Sequence, residues 1–212
     1  MKNIVIVGGC GHVGIPLGLA LSTKNFNVTL LDVNEHAVSE INSCRVPFME
    51  KGADEILRAH IGKNLSATCD KSVISGCDAI VFVTGTPVDE HLNPKVGDVL
   101  KAIKQYLPLM NKDQLIILRS TLFPGTIPVI DKMLTEALGS VKLAFCPERI
   151  LQGKGIEEIF TLPQLVSATS PEAEDEAAGL FGKLTSKVIR LTPEEAELAK
   201  LMTNTWRYIE FA

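Results

Sequence analysis

The chain lacks both an excess of positive charge and a long apolar run. Its 25 Asp and Glu residues outnumber its 21 Lys and Arg residues, so the net charge is −4 at pH 7 and there is no basic field for nucleic acid. No segment reaches the uninterrupted apolar length of a membrane span. In a signal peptide, a positive charge and an apolar run are followed by a cleavage site. Here Lys2 and the short apolar run lead directly into a glycine turn, so the N-terminus is not expected to be a signal peptide. We therefore expect a cytoplasmic protein that binds neither nucleic acid nor membrane.

Metal-binding and disulfide patterns are also lacking. The five cysteines are odd in number and contain no C-x-x-C pair, which predicts free thiols in a reducing compartment. The four histidines are scattered without ligand spacing, so no metal site is expected. These residues are Cys10, Cys44, Cys69, Cys77, Cys146, His12, His36, His60 and His91.

The chain does have enough apolar sequence for a large core. With 212 residues and 46% hydrophobic content, it fits one large domain or one and a half small ones. Apolar, β-branched runs alternate with segments of helical periodicity along most of its length. This alternation predicts an α/β fold, a doubly wound, Rossmann-like parallel sheet covered by helices on both faces.

The most specific motif follows the first apolar run, residues 4–7. Gly9, Gly11 and Gly14 have the G-x-G-x-x-G spacing that turns a strand into a dinucleotide-binding helix. The first glycine permits a tight turn, the second a close approach of a pyrophosphate, and the third close helix–strand contact. We predict that His12 and Val13, inside the motif, bind cofactor through their backbone.

An acidic residue completes this motif. Asp32 follows a second apolar run, residues 28–31, where its carboxylate can accept hydrogen bonds from the adenosine ribose. A 2′-phosphate would meet a like charge there, so the pattern favours NAD over NADP. The alternative is a glycine-rich turn in another α/β protein, which leaves Asp32 unexplained.

Polar residues also stand where later strands end. Thr84 and Thr86 follow one predicted strand, Thr121 follows the next, and Glu148 follows a third. Ligands of open α/β sheets bind in the crevice beyond the carboxyl ends of the strands. Each residue could instead cap the helix that follows it. Their shared position favours a binding site.

The last segment reads as one helix that starts at Thr192-Pro193 and continues to residue 212. Lys200 and Asn204, four residues apart, share one face. An apolar stripe lies roughly opposite, and an exposed polar face is the alternative interpretation of the pair. The stripe consists of Leu198, Leu201, Met202, Thr205, Trp206 and Ile209.

Five motifs occur in a fixed order along the chain. They are Gly9-Cys10-Gly11-His12-Val13-Gly14-Ile15-Pro16-Leu17, Thr86-Pro87-Val88-Asp89-Glu90, Ser120-Thr121 with Pro124-Gly125-Thr126, Cys146-Pro147-Glu148-Arg149, and Ala196-Glu197-Leu198-Ala199-Lys200-Leu201-Met202-Thr203-Asn204. Over essentially its whole length the chain resembles the UDP-sugar 6-dehydrogenases. The resemblance implies an NAD-binding domain over residues 1–191 and the start of a central linker helix over 192–212. The UDP-binding domain would lie beyond residue 212.

The resemblance also implies the reaction and the roles of residues. In this family two NAD oxidise the sugar C6 alcohol to a carboxylate, through a thioester on a cysteine. Asp32 and Thr86 would contact cofactor, Thr121 and Glu148 would line the nicotinamide side and order water, and Lys200 and Asn204 would stabilise the oxyanion at C6. The family's nucleophilic cysteine lies after the central helix. We therefore expect Cys146 to be a packed thiol.

Two positions bear on the substrate. Arg149 and Gln152 stand where the UDP-glucose branch often has Phe and Glu, and they resemble the UDP-N-acetylmannosamine branch. UDP-glucose 6-dehydrogenase is the alternative within the family, and a β-hydroxyacid-type dehydrogenase is the alternative outside it. A non-catalytic NAD-binding module is the alternative of another class. The UDP-sugar would bind through the second domain, and we expect the full-length protein to form a homodimer through the apolar stripe.

Overall fold

The computed structural model describes residues 1–85, 90 and 95–211. Within these residues lie eight strands: β1 (Asn3–Val7), β2 (Asn27–Leu31), β3 (Leu65–Thr68), β4 (Ala79–Phe82), β5 (Leu115–Leu118), β6 (Lys142–Phe145), β7 (Gln164–Ala168) and β8 (Val188–Arg190). The described α-helices are α1 (Gly14–Ser22), α2 (Glu35–Asn42), α3 (Ala53–His60), α4 (Val96–Lys104), α5 (Thr126–Leu138), α6 (Gly155–Thr161), α7 (Pro171–Phe181) and α8 (Pro193–Phe211).

The strands form one sheet in the order β3-β2-β1-β4-β5-β6-β7-β8. The first six strands in this order, β3, β2, β1, β4, β5 and β6, all pair in parallel with their neighbours. This arrangement confirms the predicted Rossmann-like sheet. Chain order reverses between β1 and β4, so their carboxyl ends open a crevice at this switch point.

Consecutive residues of β1 face two different cores, which explains its uninterrupted aliphatic sequence. Ile4 and Ile6 pack in the layer that contains Leu17 of α1. Val5 and Val7 pack in the layer that contains residues of α4 and α5. Because side chains alternate along a strand, a strand covered on both faces needs an apolar residue at every position.

The sheet is not parallel throughout, since β7 runs antiparallel to β6. The connection between them contains α6, a helix that was not predicted from the sequence. Its seven residues span only ~10 Å. Instead of crossing back over the sheet, α6 packs against α1, and β7 starts near the edge where β6 ends.

Helix α8 lies with its polar face against the rest of the protein. Its buried side chains include Ala196, Glu197 and Lys200. The predicted apolar stripe is largely exposed, with Leu198, Met202, Trp206 and Ile209 facing solvent. Thr192 and Glu195 form reciprocal side-chain-to-backbone hydrogen bonds at the start of the helix, as a capping box does. None of the described helices is both long and apolar enough to cross a membrane.

Candidate active site

The glycine turn closes tightly between β1 and α1. The N–H groups of Gly8 and Gly9 both donate to the carbonyl of Leu31, at 2.9 and 3.1 Å. A Cβ on Gly14 would lie 2.4 Å from the carbonyl oxygen of Gly9, so only glycine permits this packing. The turn therefore brings the start of α1 directly over the carboxyl end of β1.

The turn presents unpaired donors to the crevice. Among the described residues, no group accepts a hydrogen bond from the N–H of Gly11, His12 or Val13. A Cβ on Gly11 would meet only the Gly8 carbonyl, at 3.7 Å, so the approach to these donors is open. Unpaired N–H groups at a helix N-terminus form an anion site, and their arrangement fits the pyrophosphate of a dinucleotide. The exposed His12 ring packs against Phe48, with ring centroids 4.0 Å apart.

Asp32 lies directly beyond β2, beside the turn. Its Oδ2 accepts a hydrogen bond from the N–H of Cys10 at 3.0 Å, and its Oδ1 accepts one from Asn34 at 3.0 Å. A carboxylate oxygen has two acceptor positions, so each remains able to accept a ribose hydroxyl. Burial, with a smaller contribution from the charge of Asp32, raises the pKa of the Cys10 thiol to about 12. Cys10 is therefore a neutral packed thiol.

A crevice of about 220 Å³ lies between this turn and α8. Its lining includes five of the predicted site residues, Val13, Thr84, Thr121, Glu148 and Lys200. The Ser120 hydroxyl donates a hydrogen bond to the Thr84 carbonyl. This bond connects the segment after β4 with the segment after β5, which form two walls of the crevice. A larger cavity, of about 710 Å³, is lined by residues such as Asp78 and Lys142, at the opposite edge of the sheet. Because none of the predicted site residues lines it, we place the candidate site in the smaller crevice.

A buried arginine that was not among the predicted site residues forms the floor of the crevice. Arg119 directly follows β5 and is 1% exposed. Its Nε donates to Glu148 Oε2 at 2.7 Å, and its Nη2 also pairs with that oxygen. The guanidinium lies over the Phe181 ring, 4.6 Å from its centroid. The only signal in the sequence was an arginine at the end of an aliphatic run, beside the polar pair at 120 and 121.

The other oxygen of Glu148 shapes the following loop. Oε1 accepts the N–H of Arg149 at 2.7 Å and that of Ile150 at 3.0 Å. Both carboxylate oxygens of Glu148 thus have partners, and its backbone carbonyl points toward α8. The structure places Glu148 in the predicted crevice, and its water-ordering role stays a prediction.

Lys200 reaches the crevice from α8. Its ammonium group donates to the carbonyl oxygen of Glu148, and the residue is 8% exposed. Burial, opposed by the charge of Glu148 and assisted by the charges of Arg207, Arg119 and Arg149, lowers the pKa of Lys200 to about 8. A buried ammonium among cations is suited to binding an anion or a developing negative charge.

One predicted catalytic residue, Asn204, does not line this crevice. It lies one turn beyond Lys200 on α8 and is half-buried. Thr86 lies outside the described residues. Their roles stay predictions.

Residues 2–185 match the family described as the UDP-glucose/GDP-mannose dehydrogenase family, NAD binding domain. The chain belongs to this family. The predicted resemblance and the predicted cofactor, NAD, are thereby confirmed. The unpaired N–H groups of the turn and the position of Asp32 fit that cofactor.

Individual relatives and a solved structure are similar to the chain over nearly all of its length. The chain is 28% identical over its whole length to a UDP-N-acetyl-D-mannosamine dehydrogenase of Methanococcus vannielii, of which it covers 49%. It is 26% identical over 98% of its length to an NDP-N-acetyl-D-galactosaminuronic acid dehydrogenase of Ralstonia solanacearum, of which it covers 52%. A structure of UDP-D-ManNAc dehydrogenase from Pyrococcus horikoshii has a TM-score of 0.91 at 23% identity, covering 97% of this chain and 50% of that one. The chain spans about half the length of the relatives it matches.

Within this NAD-binding domain Cys146 is a packed thiol, as expected. Its side chain is fully buried, its carbonyl accepts a hydrogen bond from Arg119 at 3.1 Å, and burial raises its pKa to about 12. A thiol in this state forms almost no thiolate near neutral pH, so Cys146 is unsuited to nucleophilic catalysis.

Proposed function

We propose that the chain is the NAD-binding half of a UDP-sugar 6-dehydrogenase that oxidises UDP-N-acetylmannosamine. The observation that carries this proposal is the Lys200 ammonium, which is buried between the glycine turn and the loop after Glu148. With cofactor and sugar bound, this ammonium would stabilise the negative charge that develops on the alcohol oxygen during oxidation. The names of two relatives, which refer to N-acetylated sugar nucleotides, support the substrate class.

Cofactor binding falls to the turn and the strand ends. When bound, NAD supplies the hydride acceptor. The N–H groups of Gly11, His12 and Val13 hold the pyrophosphate, and Asp32 accepts the ribose hydroxyls. Gly9 and Gly14 keep the turn tight enough for that contact. Thr84, and by resemblance Thr86, stand beside the nicotinamide half.

Lys200 stabilises the negative charge that develops on the C6 oxygen. Its ammonium group is positively charged and buried, and charge stabilisation is strongest where water is excluded. Asn204 supplies a neutral donor from the next turn of α8. By resemblance, Thr121 and Glu148 order the water that releases the acid from a thioester on a cysteine beyond this chain.

The substrate branch depends on the loop after Glu148. Arg149 is half-buried and donates a hydrogen bond to the carbonyl of Pro163, which fixes its side chain close enough to Lys200 for its charge to lower the pKa of that lysine. A phenylalanine, as in the UDP-glucose branch, could not make this contact. Together with Gln152, Arg149 favours a UDP-N-acetylhexosamine.

Helix α8 belongs to the proposed domain arrangement. Residues 1–191 form the NAD-binding domain, and residues 192–212 begin a linker helix to a UDP-binding domain. Another surface should cover the apolar side chains that α8 leaves exposed, which are Leu198, Met202, Trp206 and Ile209. We propose that the full-length protein is a homodimer and that these side chains lie in its interface.

The test is turnover by the full-length protein with UDP-N-acetylmannosamine and UDP-glucose as competing substrates. We expect two NADH per sugar and a higher kcat/KM for the N-acetylated sugar. A preference for UDP-glucose would overturn the branch assignment alone. Turnover of β-hydroxyacids instead, or NAD binding without turnover of either sugar, would favour the corresponding alternative and overturn the proposed reaction.

A further inference from the structure

Helix α8 carries a buried carboxylate that the proposed reaction does not use. Glu197 is 0% exposed. Its Oε2 accepts the N–H of Gly125 at 2.7 Å, and its Oε1 accepts the N–H of Ile127 at 3.0 Å. Among the described residues no cation pairs with it. The carboxylate is thus stabilised by the N-terminal N–H groups of α5.

These two hydrogen bonds connect the two sides of the crevice. Gly125 ends the short loop that carries Thr121, and it precedes α5 directly. Glu197 lies one helical turn before Lys200 on α8. The carboxylate therefore joins the segment that positions the Thr121 hydroxyl to the helix that positions the Lys200 ammonium.

Besides Glu197, α8 is held by the buried Ala196, which packs in the layer that contains residues of α4 and α5, and by contacts with β7. Its apolar side chains from Leu198 to Ile209 are mainly exposed, so they add little to the packing against the sheet. Lys200 itself contacts the Glu148 carbonyl, and Arg207 donates to the carbonyls of Arg149 and Ile150. Those contacts attach α8 to the loop after β6. Only Glu197, among the described side chains of α8, bonds to the start of α5.

We propose that Glu197 is a positioning residue for Lys200: by accepting the Gly125 and Ile127 N–H groups, it sets the axial position of α8 against α5. The Lys200 ammonium then lies at the height of Thr121 and Glu148. This inference rests on the proposed role of Lys200 in the reaction.

The test is Glu197→Gln, which keeps the shape but replaces one acceptor with a donor facing an N–H group. Glu194→Gln, on the exposed side of the same helix, is the matched control for the loss of one charge. In the full-length protein we expect Glu197→Gln to lower kcat by about 10- to 100-fold, since ~1 Å of misplacement has effects of this size. We expect the KM for NAD to change by less than about twofold, because the glycine turn is untouched.

A second readout separates positioning from general structural support. The charged groups that face Lys200 are Glu148, Arg119, Arg149 and Arg207, and Glu197→Gln changes none of them. If α8 shifts, the ammonium becomes better hydrated and the pKa of Lys200 rises from about 8 toward its ordinary 10.5. NMR titration of the lysine side chains measures this change in the 212-residue chain. Amide exchange at Gly125 and Ile127 should become faster in the same variant.

An unchanged kcat and an unchanged Lys200 pKa in Glu197→Gln would overturn the proposal, even where Lys200→Ala is inactive. If Lys200→Ala keeps full activity, the proposed function fails instead, and the titration still decides whether Glu197 positions the lysine. Should Glu197→Gln not fold, Glu197→Asp is the second variant, since it keeps the charge but shortens the reach. Glu197→Asp is expected to raise the pKa of Lys200, as Glu197→Gln is. Rapid exchange of the Gly125 and Ile127 amides in the unmodified chain would also contradict the proposal.

Discussion

Arg119 and Glu148 form a buried ion pair that joins the carboxyl ends of β5 and β6. Their side chains are 0% and 8% exposed, and the guanidinium also donates to Gln164 at the start of β7. The pair therefore holds three strand ends together beneath the crevice. Since the Glu148 carbonyl holds Lys200, the ion pair also supports the proposed site from below.

Loss of this arginine should destabilise the fold strongly. Arg119→Met keeps most of the side-chain volume but leaves a buried carboxylate without its partner, which typically costs about 3–5 kcal/mol. Arg190→Met is the matched control, because Arg190 pairs with Asp175 on the surface, where a pair contributes about 0–1 kcal/mol. Urea denaturation of both variants measures the difference. Equal losses in the two variants would mean that the buried pair adds no special stability.

The depressed pKa of Lys200 predicts how stability depends on pH. The folded chain releases this proton near pH 8, whereas the unfolded chain keeps it to about 10.5, so the unfolded state binds more protons between these values. The free energy of unfolding should therefore rise with pH across that window, by up to about 3 kcal/mol from this residue. As pH falls through 8, this contribution to the free energy of unfolding should be lost.

The control is Lys200→Met, in which this part of the pH dependence should disappear. Urea denaturation at several pH values between 7 and 10.5 compares the two chains, and other titrating groups cancel in the difference. Parallel curves for both chains would show that Lys200 is solvated and unperturbed.

The protonation of Lys200 should affect catalytic activity in the opposite direction from stability. If the ammonium stabilises the oxyanion, Lys200→Ala should lower kcat of the full-length protein by about 10²–10³-fold, with NAD affinity nearly unchanged. In the unmodified protein kcat should fall as pH rises through the pKa of Lys200, near 8, because the charge is lost. Lys183→Ala, an exposed lysine at the far edge of the sheet, is the control. Activity of Lys200→Ala within a few-fold of the parent would make the lysine a structural residue.

Much of the fold could be predicted because its signals are local. The glycine spacing, the aliphatic run of β1 and the Thr192-Pro193 cap each specify an element from neighbouring residues alone. The crevice was also predictable, because parallel strands place their carboxyl ends at one edge and so bring Thr84, Thr121 and Glu148 together.

Features that depend on distant partners were not predictable. Helix α6 begins at a glycine and has only seven residues, so its helical signal is weak, and the antiparallel β7 follows from it. Arg119 and Glu197 are charged residues whose burial requires partners 29 and 70–72 positions away. On α8, hydrophobic patterning alone would place the apolar stripe inside, and the position of Lys200 in the site was expected only from the family resemblance.

Asp32 should set the preference between the two nicotinamide dinucleotides. Its carboxylate accepts ribose hydroxyls and repels a 2′-phosphate, so NAD should bind at least about tenfold more tightly than NADP, a difference of ~1.4 kcal/mol. Asp32→Asn should narrow this ratio, since the amide oxygen can still accept from Cys10 while the charge is gone. Calorimetric titration with both cofactors measures it, with the exposed Asp54→Asn as control. Equal affinities in the unmodified chain would remove Asp32 from this role.

The 212-residue chain should bind NAD without oxidising a UDP-sugar. It spans about half of its relatives' length. By resemblance, both the UDP-binding domain and the nucleophilic cysteine lie outside it. Binding energy from the remote nucleotide normally positions the reacting carbon, and that energy would be missing. We therefore expect no NADH from UDP-N-acetylmannosamine or UDP-glucose under conditions in which calorimetry detects NAD binding and the full-length protein turns over. Sustained turnover by the shorter chain would mean that its own residues complete the site, and Cys146, despite its buried thiol, would then have to be tested by substitution with serine.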